Sequence, residues 1–105
     1  LTCVRPYSQF GILSIDSHSN TVTRFLEKPK LDHWVNGGFF IFDQQVFKYI
    51  KDNDVLESES FSRLVEENQL VAYKHNGFWE CMDTYKDNLR LNQLWNSGNA
   101  PWAVW

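Results

Sequence analysis

No apolar run in this sequence approaches the roughly 18 residues that a membrane-spanning helix needs. The opening, Leu1-Thr2-Cys3-Val4-Arg5-Pro6, lacks the basic-then-apolar order of a signal peptide. Cysteine is scarce. Cys3 and Cys81 lie far apart and fit no metal spacing, so they read as reduced thiols of a cytoplasmic protein. Positive charge is not in excess: 10 Lys and Arg stand against 13 Asp and Glu, for a net charge of −3. That balance excludes a broad nucleic-acid surface. An anionic ligand must be held locally, by one or two cations, a metal ion or backbone amides. No Gly-rich phosphate loop, Ser-His-Asp pattern, internal repeat or low-complexity stretch is present. His18, His33 and His75 share no spacing and read as surface residues.

What is there fits one small α/β domain. The 105 residues are 43% hydrophobic and 22% charged, ordinary values for a globular chain. The chain does not begin with Met and reads as a piece of something longer. The five Trp residues predict a core built on large rings rather than a stacking surface. Residues 1–9 carry little pattern and read as a loop or a cut strand. Residues 10–16 (FGILSID) and 21–26 (TVTRFL) flank the polar turn Ser17-His18-Ser19-Asn20, a hairpin pattern. Residues 34–42 (WVNGGFFIF) read as a buried strand. Asp43 is placed to cap a short helix with Val46, Phe47 and Ile50 on one face. Ser58 or Ser60 opens a second helix with Phe61, Leu64 and Val65 at core spacing. Residues 70–74 and 78–82 read as strands. Thr84, with Asp87 three residues on, predicts a capping box for a last helix that buries Leu91, Leu94 and Trp95 and stops at Gly98. The order predicts a mixed sheet with flanking helices.

Few residues stand out as carriers of chemistry. Lys28 follows a strand and precedes Pro29, so a compact ammonium sits at a fixed turn, suited to a phosphate. Glu27 offers two acceptor oxygens and no donor, which suits a pair of sugar hydroxyls. Its bland alternative is an ion pair with Lys28 or Arg24. Asn36 interrupts an apolar strand, where burial without partners costs a few kcal/mol. Its amide matches a hydroxyl, or a neighbouring loop satisfies it. Gly37 and Gly38 weaken that strand and mark a bulge or a close approach of ligand to backbone. Asp83 ends a strand before a helix, where it is either a cap or a hard ligand for Mg²⁺.

Taken in order, FLEKPK at 25–30, WVNGGFFIF at 34–42, LVAYKHNGFWECMDT at 70–84 and LNQLWNSGNAPWAVW at 91–105 resemble the C-terminal part of the sugar-1-phosphate nucleotidyltransferases. The tail points to the glucose-1-phosphate cytidylyltransferase branch. The resemblance covers roughly residues 10–105. It implies the C-terminal portion of a Rossmann-like nucleotide-diphospho-sugar transferase fold. Residues 1–105 would be one domain, the sugar-phosphate-binding half, with the nucleotide-binding half outside this sequence. It implies transfer of CMP from CTP to glucose 1-phosphate, giving CDP-glucose for polysaccharide biosynthesis and releasing pyrophosphate. Lys28 matches the lysine that holds the sugar phosphate. Glu27 and Asn36 match contacts to sugar hydroxyls, Gly37 gives backbone approach, and Asp83 matches one of two aspartates that hold Mg²⁺. CTP would be met mainly by the missing half, and the apolar tail is a candidate interface in a homo-oligomer. The family usually has Glu-Pro-Leu where this chain has Glu59-Ser60-Phe61, and Pro where it has Cys81. The competing expectations are a non-catalytic sugar-phosphate-binding or assembly module from the same family, and a carbohydrate-binding domain that uses its Trp residues.

Overall fold

A computed structural model describes residues 1–105. Five short strands form: β1 (Thr2–Val4), β2 (Ile12–Ile15), β3 (Val22–Leu26), β4 (Val35–Asn36) and β5 (Tyr73–Lys74). Two α-helices join them, α1 (Phe61–Glu66) and α2 (Tyr85–Asn96). A 3-10 turn at Gln44–Lys48 and a π turn at Leu56–Ser60 complete the elements. The α/β class and the mixed sheet are as expected. The chain divides into two units, Leu1–Val4 with Trp34–His75, and Arg5–His33 with Asn76–Trp105.

In the first unit β1 is the middle strand. It pairs antiparallel with β4, Cys3 opposite Asn36, and parallel with β5, Cys3 opposite Lys74. Cys3 and Val4 are buried there, so the cut-strand reading of residues 1–9 applies to their first part. The expected strand over 34–42 stops at Asn36. Gly38 turns left-handed at φ 82°, and the Asn36 side-chain oxygen accepts its N–H at 2.9 Å. Thr2 therefore accepts from Gly37 and donates to Phe39, with Gly38 bulged between the two bonds. Phe39 and Ile41 beyond the bulge are exposed, not buried.

Gly37 is needed for packing. A Cβ there would stand 3.2 Å from the Thr2 carbonyl oxygen and 3.3 Å from Val4 Cγ1. Gly37→Ala forces β4 away from β1 by a few tenths of an ångström. We expect it to destabilise by about 1 kcal/mol in urea unfolding.

The core of this unit is Val46, Phe61 and Leu64, with Leu1, Phe40, Tyr49, Leu56 and Leu70 packed against it. Phe40 meets Phe61 edge-on, with ring centroids 5.2 Å apart. Asp43 does cap the first turn, accepting from Gln45 N–H at 2.9 Å, but that turn is 3-10. A three-residue period puts Tyr49, not Phe47 and Ile50, on the face of Val46; Phe47 is 74% exposed. Phe61 and Leu64 are buried as expected, while Val65 faces solvent.

Ser60 opens α1 from the N-cap position, one of the two serines expected there, but its side chain makes no capping bond. Ser60 is wholly buried and its hydroxyl donates to Asp54 Oδ2 at 3.0 Å. Asp54 also accepts two bonds from the Arg63 guanidinium and one from Lys51 N–H at 2.8 Å. Arg63 in turn donates to the Tyr49 carbonyl at 2.7 Å. This clamp ties the 51–54 loop, the π turn and α1 together.

In the second unit β2 and β3 form the expected antiparallel hairpin, Ile12 opposite Leu26 and Leu13 opposite Phe25. Asp16 closes its turn by accepting from the N–H groups of His18 and Ser19 and from the Ser19 hydroxyl. Residues 78–82 form no strand. Phe78 instead packs on Trp102, ring centroids 5.5 Å apart, and Glu80 pairs with Arg90 at 2.6 Å. Helix α2 begins as predicted: Thr84 and Asp87 exchange both bonds of a capping box, at 3.0 and 3.1 Å. It ends at Gly98, left-handed at φ 71°, with Asn99 N–H donating back to the Leu94 carbonyl. Leu91 and Leu94 are half-buried and Trp95 is exposed, so no residue of α2 is fully buried. No helix is long and apolar enough to cross a membrane.

Candidate functional site

Glu27 and Lys28 sit at the corner that leaves β3. On one side, Leu26 is fixed by its pairing with Ile12. On the other, a bridge joins Tyr7 to Lys30, the Pro29 carbonyl accepts from Ser8 N–H, and Leu31 N–H donates to the Pro6 carbonyl, both at 2.9 Å. The chain has to turn between these anchors, and Lys28 takes φ 43°. A Cβ disfavours that left-handed region, and a following proline disfavours helical backbone. Such strain costs on the order of 1–3 kcal/mol and persists where the surroundings over-determine it. The other left-handed non-glycine residues, Asn20, Asn53 and Asn68, are all Asn, which tolerates it. Lys28 is the exception. Its ammonium is exposed, 3.8 Å from Glu27 Oε1, an ion pair that solvent largely screens. The expected bland partner of Glu27 is therefore present, and it leaves both groups accessible.

Asn36 lies in the first unit, at the end of β4. It is exposed, not buried among apolar residues. Its Nδ2 donates to Glu57 Oε1 at 2.6 Å, and its Oδ1 accepts from Gly38 N–H. One amide N–H and one acceptor lone pair remain for a hydroxyl. Gly37 N–H is already bonded to the Thr2 carbonyl at 2.9 Å, so its closeness serves β1. Nearby strand β5 places the Lys74 ammonium 5.5 Å from the centre of the Trp34 ring. Sequence reasoning missed Glu57. It stands 21 residues from Asn36, and only the π turn brings the two together. Glu57-Ser58-Glu59 looks like any solvated acidic start of a helix, so no local signal pointed to it.

Asp83 precedes the cap of α2 and is exposed. Thr84 and Asp87 make the capping bonds, so the Asp83 carboxylate is not the cap. Mg²⁺ takes one or two protein carboxylates along with phosphate oxygens and water. Asp83 fits as one such ligand. No cluster of three or more His, Cys, Asp or Glu forms, so it does not make a metal site alone. Cys81 beside it is raised in pKa, first by burial and then by the Asp83 and Asp87 carboxylates, and stays a neutral thiol. Both cysteines are free, as expected.

The chain is similar in sequence to known proteins. The sequence model described as "Nucleotidyl transferase" matches residues 1–96. A probable glucose-1-phosphate cytidylyltransferase of Bacillus subtilis is 39% identical over 107 residues, covering 100% of this chain and 41% of that protein. A glucose-1-phosphate cytidylyltransferase of Salmonella typhimurium is 42% identical over 108 residues, with the same coverage. A mannose-1-phosphate guanyltransferase of Saccharomyces cerevisiae is 35% identical over 86 residues, covering 78% of this chain and 24% of that protein. The chain thus spans about two fifths of the length of its cytidylyltransferase relatives. It belongs to the nucleotidyl transferase family.

Proposed function

We propose that this chain is the sugar-1-phosphate-binding portion of an enzyme that transfers CMP from CTP to glucose 1-phosphate. A phosphate oxygen of glucose 1-phosphate attacks the α-phosphorus of CTP. The bond from that phosphorus to the β-phosphate oxygen breaks, pyrophosphate leaves, and CDP-glucose forms. Reactions of this kind are governed by positioning and by stabilisation of charge, which ask for fixed cations and hydrogen bonds rather than a protein nucleophile.

Each residue has a task that its surroundings suit. Lys28 presents a point charge to the sugar phosphate from a backbone corner anchored on both sides. The Glu27 carboxylate accepts from sugar hydroxyls, and Asn36 offers its remaining donor and acceptor to another. Asp83 supplies one ligand to Mg²⁺. When bound, the metal would neutralise charge on the phosphates. In this reading the chain is the C-terminal part of a Rossmann-like fold, and the residues that meet CTP belong to another part of the protein.

The observation that carries the proposal is the left-handed Lys28 in the Glu-Lys-Pro corner. Strain at a charged residue that tight turns do not favour is what a site held for function looks like. The test is a titration of the ¹⁵N-labelled chain with glucose 1-phosphate and, separately, with glucose. Glucose 1-phosphate is expected to shift the signals of Lys28 and Asn36, and glucose is expected to shift Lys28 little. The 105 residues with CTP, Mg²⁺ and glucose 1-phosphate are expected to yield no CDP-glucose. Turnover by this chain would show that the CTP-binding residues lie within it. Binding of glucose and glucose 1-phosphate alike would overturn the phosphate role of Lys28.

A further inference from the structure

We propose that Glu57 is a positioning residue, whose carboxylate fixes the orientation of the Asn36 side-chain amide for the ligand hydroxyl. The inference rests on the reading of Asn36 as a sugar contact and adds the residue that aims it. An amide can face a ligand in two ways, with oxygen and nitrogen exchanged, and the two present opposite polarity to a hydroxyl. Here both neighbours choose the same one. An ionised carboxylate only accepts, so it draws Nδ2 toward Glu57 Oε1, 2.6 Å away. A backbone N–H only donates, so Gly38 holds Oδ1, at 2.9 Å. The flipped amide would lose both bonds and set oxygen against oxygen. Its free N–H and free lone pair therefore point in defined directions.

The element that carries Glu57 is suited to the task. Leu56–Ser60 is a π turn, a wider loop of helix than the sequence would adopt by propensity, and such turns recur at functional sites. The turn is pinned from behind. Val55 N–H bonds to Glu59 Oε2 at 2.9 Å, and buried Ser60 bonds to Asp54, which Arg63 also holds. Leu56 packs on the core of the unit. Glu57 itself is exposed and is not among the core residues, so removing its side chain disturbs the fold little.

The test uses the chain with ¹⁵N-asparagine, comparing the wild type with Glu57→Ala and Glu57→Gln. In Glu57→Ala the Asn36 side-chain amide protons are expected to move upfield and exchange faster with water. The thermal midpoint should stay within about 3 °C, as for an exposed surface side chain. Glucose 1-phosphate affinity should fall roughly tenfold, the size of one charge-assisted hydrogen bond. Glu57→Gln keeps an acceptor oxygen and should restore both the amide signals and, to within about threefold, the affinity. Unmoved Asn36 signals in Glu57→Ala overturn the inference and leave the proposed function standing. Moved signals with wild-type affinity overturn it too, since the orientation then does nothing for the ligand. Moved signals, restored by Gln, in a chain that binds no glucose 1-phosphate uphold the Glu57–Asn36 pairing and sink the sugar-phosphate reading instead.

Discussion

Lys28→Ala is expected to weaken glucose 1-phosphate binding by roughly 10- to 100-fold, the span of one charge-assisted contact to phosphate. Ammonium and phosphate attract at close range without the shared geometry that an arginine fork demands, so charge and place carry the effect. The corner itself allows a sharper test. Lys28 pays for a Cβ at φ 43°, and glycine does not. Lys28→Gly should therefore keep its thermal midpoint within about 3 °C of the wild type, or raise it, while losing the same affinity as Lys28→Ala. Stability and binding would then move apart at one residue, as expected where strain is kept for function. Calorimetric titration of both variants decides it. Wild-type affinity in Lys28→Ala would place the phosphate elsewhere.

The second large effect concerns the clamp. Asp54→Ala is expected to lower the thermal midpoint by on the order of 10 °C, because it strands a guanidinium and a buried hydroxyl. The Asp54 side chain is 8% exposed, so this is not a solvated surface pair. The Arg63 guanidinium, and next the Lys51 N–H, hold its carboxyl well below the usual carboxylate range, against the opposing effect of burial. The folded-state value is thus depressed relative to the unfolded chain. Its stabilisation is complete above the unfolded carboxylate range, near pH 4, and is lost as pH falls from there toward the folded value. Asp54→Asn cannot titrate. Urea midpoints at pH 7 and pH 3 should therefore differ less in Asp54→Asn than in the wild type. An equal loss of stability with acid in both would mean that other carboxylates govern the acid limb.

Where a stretch is governed by its own neighbours, the sequence was legible. Thr84 and Asp87 form the predicted capping box because both partners lie within one turn. The hairpin between residues 10 and 26 closes on Asp16 for the same reason. Phe61 and Leu64 reach the core because a helical period needs no outside help to align them. Expectation and structure part where a bond or contact overrides the apparent period of a stretch. Residues 34–42 look like one strand, but the bond from Gly38 N–H to the Asn36 side chain and the closeness of Gly37 to Thr2 end it after two residues. Phe47 faces solvent because the first turn is 3-10 rather than α. Ser60 opens α1 as expected, yet its hydroxyl bonds to Asp54, six residues earlier, and not to the helix.

The site divides along the same line. Glu27, Lys28, Asn36, Gly37 and Asp83 were named from residue chemistry and from order along the chain, together with the family they resemble. Order is what a family motif preserves, so the sequence alone determined membership of the nucleotidyl transferase family. It also determined that any anion must be held locally, by one or two cations, a metal ion or backbone amides, since the net charge is −3. Only the tertiary structure decided that Lys28 is strained between two anchored segments, that Gly37 serves β1, and that Asp83 is free of the cap it precedes. It alone brought Glu57 to Asn36. The reason is physical: capping and turn bonds form within a few residues and can be read locally, whereas strain and amide orientation come from contacts closed by the folded chain.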